Sequence, residues 1–553
     1  MSSDYQLVLE AAESYVENTL GLQVLDGPER DVGGIRAPDT WYVDPRGTMF
    51  HGNHWLASWL CPDSRFYADR SLAERIDLLL DFMLRRQHPD GSIDFSVWRH
   101  APCEVGFTVP GACTAYRKLS AADLPLKADI AAKLGKYIKR AAHALRSGQV
   151  YTANHRWAAA VAPLACADTL FPDPENRIAI EDYLDDGIDC TEEGIYYNER
   201  SPVYSAVSNI GLILAAESLG RPELLDSVRR NLDFCLHMIN PDGFAETGLS
   251  FRQDRGCQGV PFGSYFCFKK MAVKDANPRW ARAADILLEQ GDRVGDFYPV
   301  LYLFDDPEVR SESLRREALS ETYEKFFTST RLLRYRAGDF AVTLKADGRP
   351  DNPDGWSGPE GEANFLAVYF RKLAVAAVMF KFAYQGHQSF KPPVLRMGEA
   401  SYWLEQHWRG FELRMPHRRA GRRRVWVPAD LKASAAVLIE GKKLILRLEA
   451  TGLAHVPVAV EFLISPHTQV RINRSEVRPG PGERIWFAEP DAALLDGDSK
   501  LTIHCAPSEH RLPIADNRVI TGEVESRSAR LCFGAYTPFA QDIVIQADLG
   551  KHR

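Results

Sequence analysis

The chain of 553 residues sets 67 lysines and arginines against 74 aspartates and glutamates, is 45% hydrophobic and carries a net charge of −7. Such a composition belongs to an ordinary globular chain of two to four domains; it excludes collagenous, disordered and histone-like proteins and gives no global electrostatic reason to bind nucleic acid or an anionic membrane. No apolar run approaches the roughly 18 residues of a membrane span, and the opening Met-Ser-Ser-Asp-Tyr-Gln-Leu lacks the basic start and apolar core of a secretory signal, so a cytoplasmic location is expected, or a secreted or periplasmic one if this is a mature form.

Helical periodicity comes first along the chain. Residues 72–86, 130–145, 207–219 and 224–238 place apolar side chains at helical spacing. The loops after several of these helices resemble one another: His88-Pro89-Asp90-Gly91-Ser92, Glu192-Glu193-Gly194-Ile195 and Asn240-Pro241-Asp242-Gly243-Phe244. Pro-Asp-Gly is a common turn in its own right. Here, though, the glycines stand 103 and 49 residues apart, about two units and one unit of a helical hairpin, which points to a tandem array. Such hairpins stack as an open solenoid or close into a double-layered ring, an (α/α) toroid, with a cleft lined by the loops at one end.

From Phe340 the periodicity drops towards two, in Phe340–Lys345, Ala435–Ile439, Lys443–Glu449, Val458–Ile464 and Lys500–Cys505, with Gly, Pro and Asp clusters between. The expectation is an α+β multidomain chain: an N-terminal (α/α) toroid over 1–328, then an antiparallel β-sandwich over 329–553, with residues 364–385 as a helix or one long inner strand. The basic run from His417 to Arg424 reads as a solvated hairpin tip. The ten cysteines are scattered without a Cys-x-x-Cys pair, and are expected as free thiols of a reducing compartment.

No phosphate loop, His-Glu-x-x-His zinc site or Gly-x-Ser-x-Gly elbow occurs. What remains are polar clusters in the interhelical loops. The first, Tyr151 to Trp157, brings Asn154, His155, Arg156 and Trp157 to a helix start, where anions are favoured, although Asn154 also suits a helix cap. The second runs from Tyr196 and Tyr197 through Asn198, Glu199, Arg200, Ser201 and Pro202 to Tyr204. Ser201 and Pro202 there are plain helix initiation, and Glu199 with Arg200 also reads as an ion pair. A third holds Glu246, Ser250, Arg252, Gln253 and Asp254. Two earlier loops add His51, His54 and His88. Histidines three apart suit a metal, but no third ligand of defined spacing accompanies them, so none is expected.

This inventory suits β-elimination from a uronic acid, which needs the carboxylate neutralised, a base for the proton beside it and an acid for the leaving oxygen. Asn154, His155, Arg156 and Tyr204 supply those groups, with His54, His88, Trp157, Tyr197, Glu199, Arg200, Arg252, Gln253 and Asp254 as substrate contacts. In this reading Trp157 and Tyr197 stack on sugars, and Arg156, Arg200 and Arg252 hold the carboxylate. An inverting glycosidase would instead need two carboxylates about 6.5–9.5 Å apart, for which Asp94, Glu199, Glu246 and Asp254 remain available. A non-catalytic glycan-binding protein is the third alternative. No redox or group-transfer cofactor is implied; a structural Ca2+ in an Asp-rich loop such as Asp351 to Asp354 is compatible with the sequence, and that segment is equally a plain turn.

On Asn154-His155 before a helix, on Glu199-Arg200-Ser201-Pro202-Val203-Tyr204 and on the domain order, the chain resembles the toroid polysaccharide lyases of the heparinase II/III type. The resemblance implies that Asn154 and His155 neutralise the uronate and that Tyr204 delivers or takes the proton. The Asn154 to Trp157 and Ser250 to Asp254 stretches are most similar to polysaccharide lyase family 27, the L-rhamnose-α-1,4-D-glucuronate lyases, which implies an acidic glycan substrate cleaved from a chain end. Where the heparinase group carries a His-x-His-x-Asp-like stretch, residues 336–366 hold no histidine. The general base is thereby left open among His54, His88, His100 and His387.

Overall fold

A computed structural model of the protein describes residues 3–37, 42–95, 98–121, 123–147, 156–198, 200–250, 252, 254, 257–291, 304–346, 364–398, 401–414, 425–514 and 528–549. The chain divides into two compact units, Met1–Leu236 with Pro261–Leu319, and His237–Val260 with Ser320–Arg553. The sequence led us to expect one cut at 328/329. Instead the later boundary falls at 319/320, and an excursion of the chain from within the helical region belongs with the strands.

The first unit is helical: α1 (Ser3–Leu20), α2 (Pro45–Leu60), α3 (Arg70–Arg86), α4 (Pro102–Gly106), α5 (Val109–Ala121), α6 (Lys127–Leu145), α7 (Ala162–Leu170), α8 (Pro174–Asp185), α9 (Pro202–Leu219), α10 (Leu225–Met238), α11 (Tyr265–Asp275), α12 (Pro278–Glu289) and α13 (Pro307–Arg310). A short hairpin, β1 (Ile93–Phe95) and β2 (Trp98–Ala101), interrupts them. Five helices start with the same local chemistry. Asp44, Asp173, Ser201, Asn277 and Asp306 each accept a backbone N–H of the first turn, and a proline follows each. The cap satisfies an orphan donor and the proline presets the helical φ.

Packing repeats along the chain. Ala159 stands against Gly106 and Trp157 against Gly211, and Cys166 meets Ser218 at 3.4 Å, 52 residues on. Because both numbers rise together, the helix through Trp157 and α9 run parallel. The alternate helices do the same: Lys133 of α6 binds Asp77 of α3 at 2.7 Å, and Arg140 reaches the Leu84 carbonyl 56 residues back. The last elements return to the first, where buried Lys269 of α11 bonds Asp4 of α1 at 3.1 Å and Glu312 at 2.6 Å.

The three glycine loops share one turn geometry. His88, Thr191 and Asn240 each donate N–H to the residue four on and accept from the glycine three on. Gly91, Gly194 and Gly243 have φ of 90°, 86° and 86°, the left-handed region in which glycine carries no Cβ penalty.

The second unit is built of strands: β3 (Thr322–Phe327), β4 (Leu332–Ala337), β5 (Phe340–Lys345), β6 (Asn364–Phe370), β7 (Leu373–Phe382), β8 (Gln388–Ser389), β9 (Leu395–Met397), β10 (Tyr402–Trp408), β11 (Phe411–Arg414), β12 (Val425–Pro428), β13 (Leu431–Glu440), β14 (Lys443–Gly452), β15 (Pro457–Ile464), β16 (Gln469–Ile472), β17 (Ser475–Val477), β18 (Arg484–Trp486), β19 (Asp491–Asp496), β20 (Ser499–His504), β21 (Ala529–Tyr536) and β22 (Phe539–Leu549). One nine-stranded sheet has the order β18-β21-β15-β7-β6-β5-β4-β3 with β8 beside β7, and the other β17-β16-β19-β20-β22-β14-β13-β10-β9. Residues 364–385, expected as a helix or one long strand, instead form the antiparallel pair β6 and β7, with Phe370 opposite Leu373. Alternate residues of both sheets, among them Val342, Val368, Phe380, Leu446 and Ile545, make one hydrophobic core. Strands β5, β6 and β7 are buried along their whole length, so their second face is covered too, and it carries polar groups. None of the ten cysteines is joined in a disulfide, and seven of them are buried. The basic run at 417–424 and the Asp351 to Asp354 loop lie outside the described residues.

Candidate functional site

Because the helix through Trp157 and α9 run parallel, Arg156 and Ser201, which precede them, stand at the same end. Of the first cluster, Asn154 and His155 lie outside the described residues. Arg156 is buried, donates to the Gly187 carbonyl at 2.7 Å, stands 3.6 Å from Asp186 and covers the Trp157 indole at 4.6 Å. It therefore ties the helix start to the 186–187 turn. Trp157 opens a π-helical turn, Trp157–Val161. Pro163 has no N–H to give the Ala159 carbonyl four residues back, and that carbonyl faces Gly106, where a Cβ would stand 1.8 Å from its oxygen. The turn is wide because the ordinary ladder cannot close there. Trp157, expected to stack on a sugar, has 0% exposure; a fully enclosed indole presents no face, and its role is packing.

The second cluster is built by α9. Ser201 accepts from Tyr204 N–H at 3.4 Å, which sets Tyr204, half-buried, in the first turn. Before it, Arg200 is buried with φ of 49° and lies over the Tyr197 ring at 4.4 Å. The loop is pinned from beneath. Tyr196 donates to Asn209 Oδ1 at 2.8 Å, Asn209 Nδ2 to Asn231 Oδ1 at 2.8 Å, and Asn231 Nδ2 to the Gly194 carbonyl at 2.8 Å. Complete burial raises the Tyr196 hydroxyl well above its ordinary range, so it stays a neutral donor. Glu199 lies outside the described residues.

His54 does not behave as expected of a substrate contact. It is buried at 1% exposure and packs on Tyr15 with ring centroids 4.1 Å apart. Neighbouring His51 meets the Tyr15 hydroxyl at 2.9 Å, and burial lowers its pKa to about 4. His88 is partly exposed in the loop that leads through β1 and β2 into α4. Its Nε2 lies 2.8 Å from Asp94, and its ring stacks on His100 at 3.8 Å. Burial acts to raise the Asp94 carboxyl, but bonds from His88, the His100 N–H and Arg99 prevail and hold it at about 2.

The third cluster belongs to the other unit. Ser250 Oγ donates to Asp254 at 2.6 Å and accepts the Arg252 N–H at 2.9 Å; Arg252 and Asp254 are half-buried, and Gln253 lies outside the described residues. Glu246, held open as a hydrolytic carboxylate, is 1% exposed. It accepts from Gly248 N–H at 2.6 Å, Thr343 Oγ1 at 2.8 Å and Arg334 Nη1 at 3.3 Å. Arg334, also enclosed, donates further to the His237 carbonyl at 2.9 Å and Asn240 Oδ1 at 3.0 Å. Glu246 thus fastens the 237–248 segment to β4 and β5, a structural duty that argues against acid catalysis. Among the described residues no group of three or more His, Cys, Asp or Glu is arranged to hold a metal ion, and no helix is long and apolar enough to cross a membrane.

Sequence reasoning missed the Asn209–Asn231 pair and the Arg334 anchor. Asn209 carried a signal, an amide in the mainly apolar stretch 207–219; Arg334 carried none, because its partners in the 237–246 segment lie 88 to 97 residues away.

No protein-family model matches the chain, and no curated protein matches it. Solved structures do. The chain is similar to heparinase III at 10% identity and a TM-score of 0.60, covering 100% of this chain and 86% of that one. It is similar to the chondroitin AC lyase of Streptomyces coelicolor A3 in complex with chondroitin sulphate at 13% identity and a TM-score of 0.56, over 100% and 80%. A mutant of the heparan sulfate lyase HepC from Pedobacter heparinus gives 12% identity and a TM-score of 0.51, over 100% and 84%. At these identities the likeness is one of fold.

Proposed function

We propose that this chain is a polysaccharide lyase, an (α/α) toroid followed by an antiparallel β-sandwich, that cleaves the glycosidic bond to a uronic acid by β-elimination. The observation that carries the reading is Tyr204 in the first turn of α9, half-buried and preceded by the Ser201 cap, in a chain whose whole length shares the fold of solved lyases. Asn154 and His155 neutralise the uronate, making the proton at C5 acidic. That proton leaves, its electron pair forms the C4=C5 double bond, the C4–O4 bond breaks, and the leaving oxygen takes a proton. Tyr204 takes the first proton through its phenolate form or supplies the second from its hydroxyl.

Arg252, Gln253 and Asp254 contact substrate in this reading. Arg156 and Arg200, both buried, shape the loops instead. The finer assignment is an exo-acting L-rhamnose-α-1,4-D-glucuronate lyase of family 27 that finishes imported oligosaccharides in the cytoplasm. It needs no redox or group-transfer cofactor, and a structural Ca2+ at Asp351 to Asp354 belongs to the same proposal.

The test is the ultraviolet absorbance of the 4,5-unsaturated uronate during incubation with uronate-containing glycans, gum arabic among them. Absorbance is expected to rise, and Tyr204→Phe to slow the rise by about a hundredfold or more, the usual worth of a positioned acid or base. Sugar release without the absorbance would overturn elimination.

A further inference from the structure

We propose that the β1–β2 hairpin and the turn before it form a second sugar subsite, which takes a pyranose of the glycan chain away from the residue being cleaved. The ring face would lie on Trp98 and its hydroxyls at Arg99 and His100. That the ligand is a glycan rests on the reading above; the subsite itself stands on the hairpin.

Trp98 is 51% exposed, whereas Trp55, Trp59 and Trp157 of the same unit are at 0%. A half-exposed indole on a braced hairpin offers the flat apolar face against which a sugar packs. The groups beside it are held. Asp94 accepts from Arg99 Nη1 at 3.0 Å, from His100 N–H at 3.0 Å and lies 2.8 Å from His88 Nε2. The two imidazoles stack at 22°, and His100 also reaches Asp90 at 3.2 Å. His100 has φ of 47°, a left-handed conformation unfavourable for a non-glycine residue, and the bonds to Asp94 hold it there.

The hairpin is anchored at Phe95, the residue opposite Trp98. Phe95 lies under the Arg46 guanidinium at 3.7 Å, and Arg46 pairs with Glu104 at 2.7 Å. The side chains of Arg99 and His100 remain 64% and 56% exposed, so they present N–H groups outward from a fixed backbone. The hairpin leads into α4, whose Gly106 stands against the π-helical turn after Arg156.

The experiment is calorimetric binding of a short and a long acidic oligosaccharide of the same repeat to the full chain carrying Tyr204→Phe. Adding Trp98→Ala is expected to weaken the long ligand about tenfold, the worth of one aromatic contact, and to leave the short one unmoved. Equal losses on both, no loss on either, or no binding of either ligand before Trp98 is changed would overturn the subsite. Should Trp98→Ala lose helicity, Trp98→Leu, which keeps an apolar contact without the flat ring, decides by the same criterion. A chain that never produces the unsaturated uronate yet loses the long ligand with Trp98→Ala would retain the subsite and sink the elimination.

Discussion

One buried polar network from each unit shows two ways of holding a segment in place, although the helical unit also has an ionic centre of its own, Lys269 with Asp4 and Glu312. In the helical unit the buried chain from Tyr196 through Asn209 and Asn231 to the Gly194 carbonyl is neutral and ties a loop to the helix that it introduces. In the sheet unit the buried groups are ions joined over long sequence distances. Arg334 and Glu246 are one pair; Glu461 is another centre, accepting from Lys381 at 3.0 Å and Arg530 at 2.7 Å. A neutral network sets the shape of one loop, and its loss leaves single unsatisfied dipoles. An ionic centre in which one carboxylate serves several donors fixes distant segments together, and its loss strands whole charges.

That contrast can be broken by mutation. Glu461→Ala leaves Lys381 and Arg530, with side chains 0% and 3% exposed, without their shared carboxylate, and should destabilise the sheet unit by about 3–5 kcal/mol in chemical denaturation; a loss below about 1 kcal/mol would mean that the cations find other partners. Asn209→Ala should cost only about 1–3 kcal/mol, since it orphans the Tyr196 hydroxyl and one amide. Its second signature would be slower elimination, because the loop before Tyr204 loosens; unchanged turnover would separate the network from the site. The smallest effect is in acid. Asp94, held at about 2 against an ordinary 3.8, contributes stability that is full above the ordinary value and is lost as the pH falls through about 2. Histidine resonances of His88 and His100 should shift in that window, and invariance there would show that Asp94 does not hold them.

Local chemistry was legible in the sequence wherever a few neighbouring residues decide it. The helical spacing of 72–86 became α3, the alternation of 443–449 became β14, and the glycine loops became one turn repeated. Side-chain exposure was less legible. Trp157 and His54 look functional because they sit beside other functional types, yet the packing of neighbouring helices encloses both. Least legible was the allegiance of 237–260, since the bonds that assign it to the strands run to Arg334 and Thr343. No periodicity records a pairing across nearly a hundred residues. Asn154, His155, Glu199 and Gln253 stand as the sequence left them.

The excursion from His237 to Val260 has a consequence for how the chain is made. During synthesis α1 to α10 emerge first, followed by a stretch that has no strand to join until β4 and β5 arrive. The helical unit, for its part, needs Pro261–Leu319 to complete the Lys269 contact with Asp4. Neither unit is a continuous piece, so no single cleavage separates them intact, and neither can be shuffled into another protein as a module. Pairing across such distances must wait for loop closure, which should make the sheet the slower unit to fold, with a ribosome-bound chain halted before β4 holding the 237–260 segment open to protease.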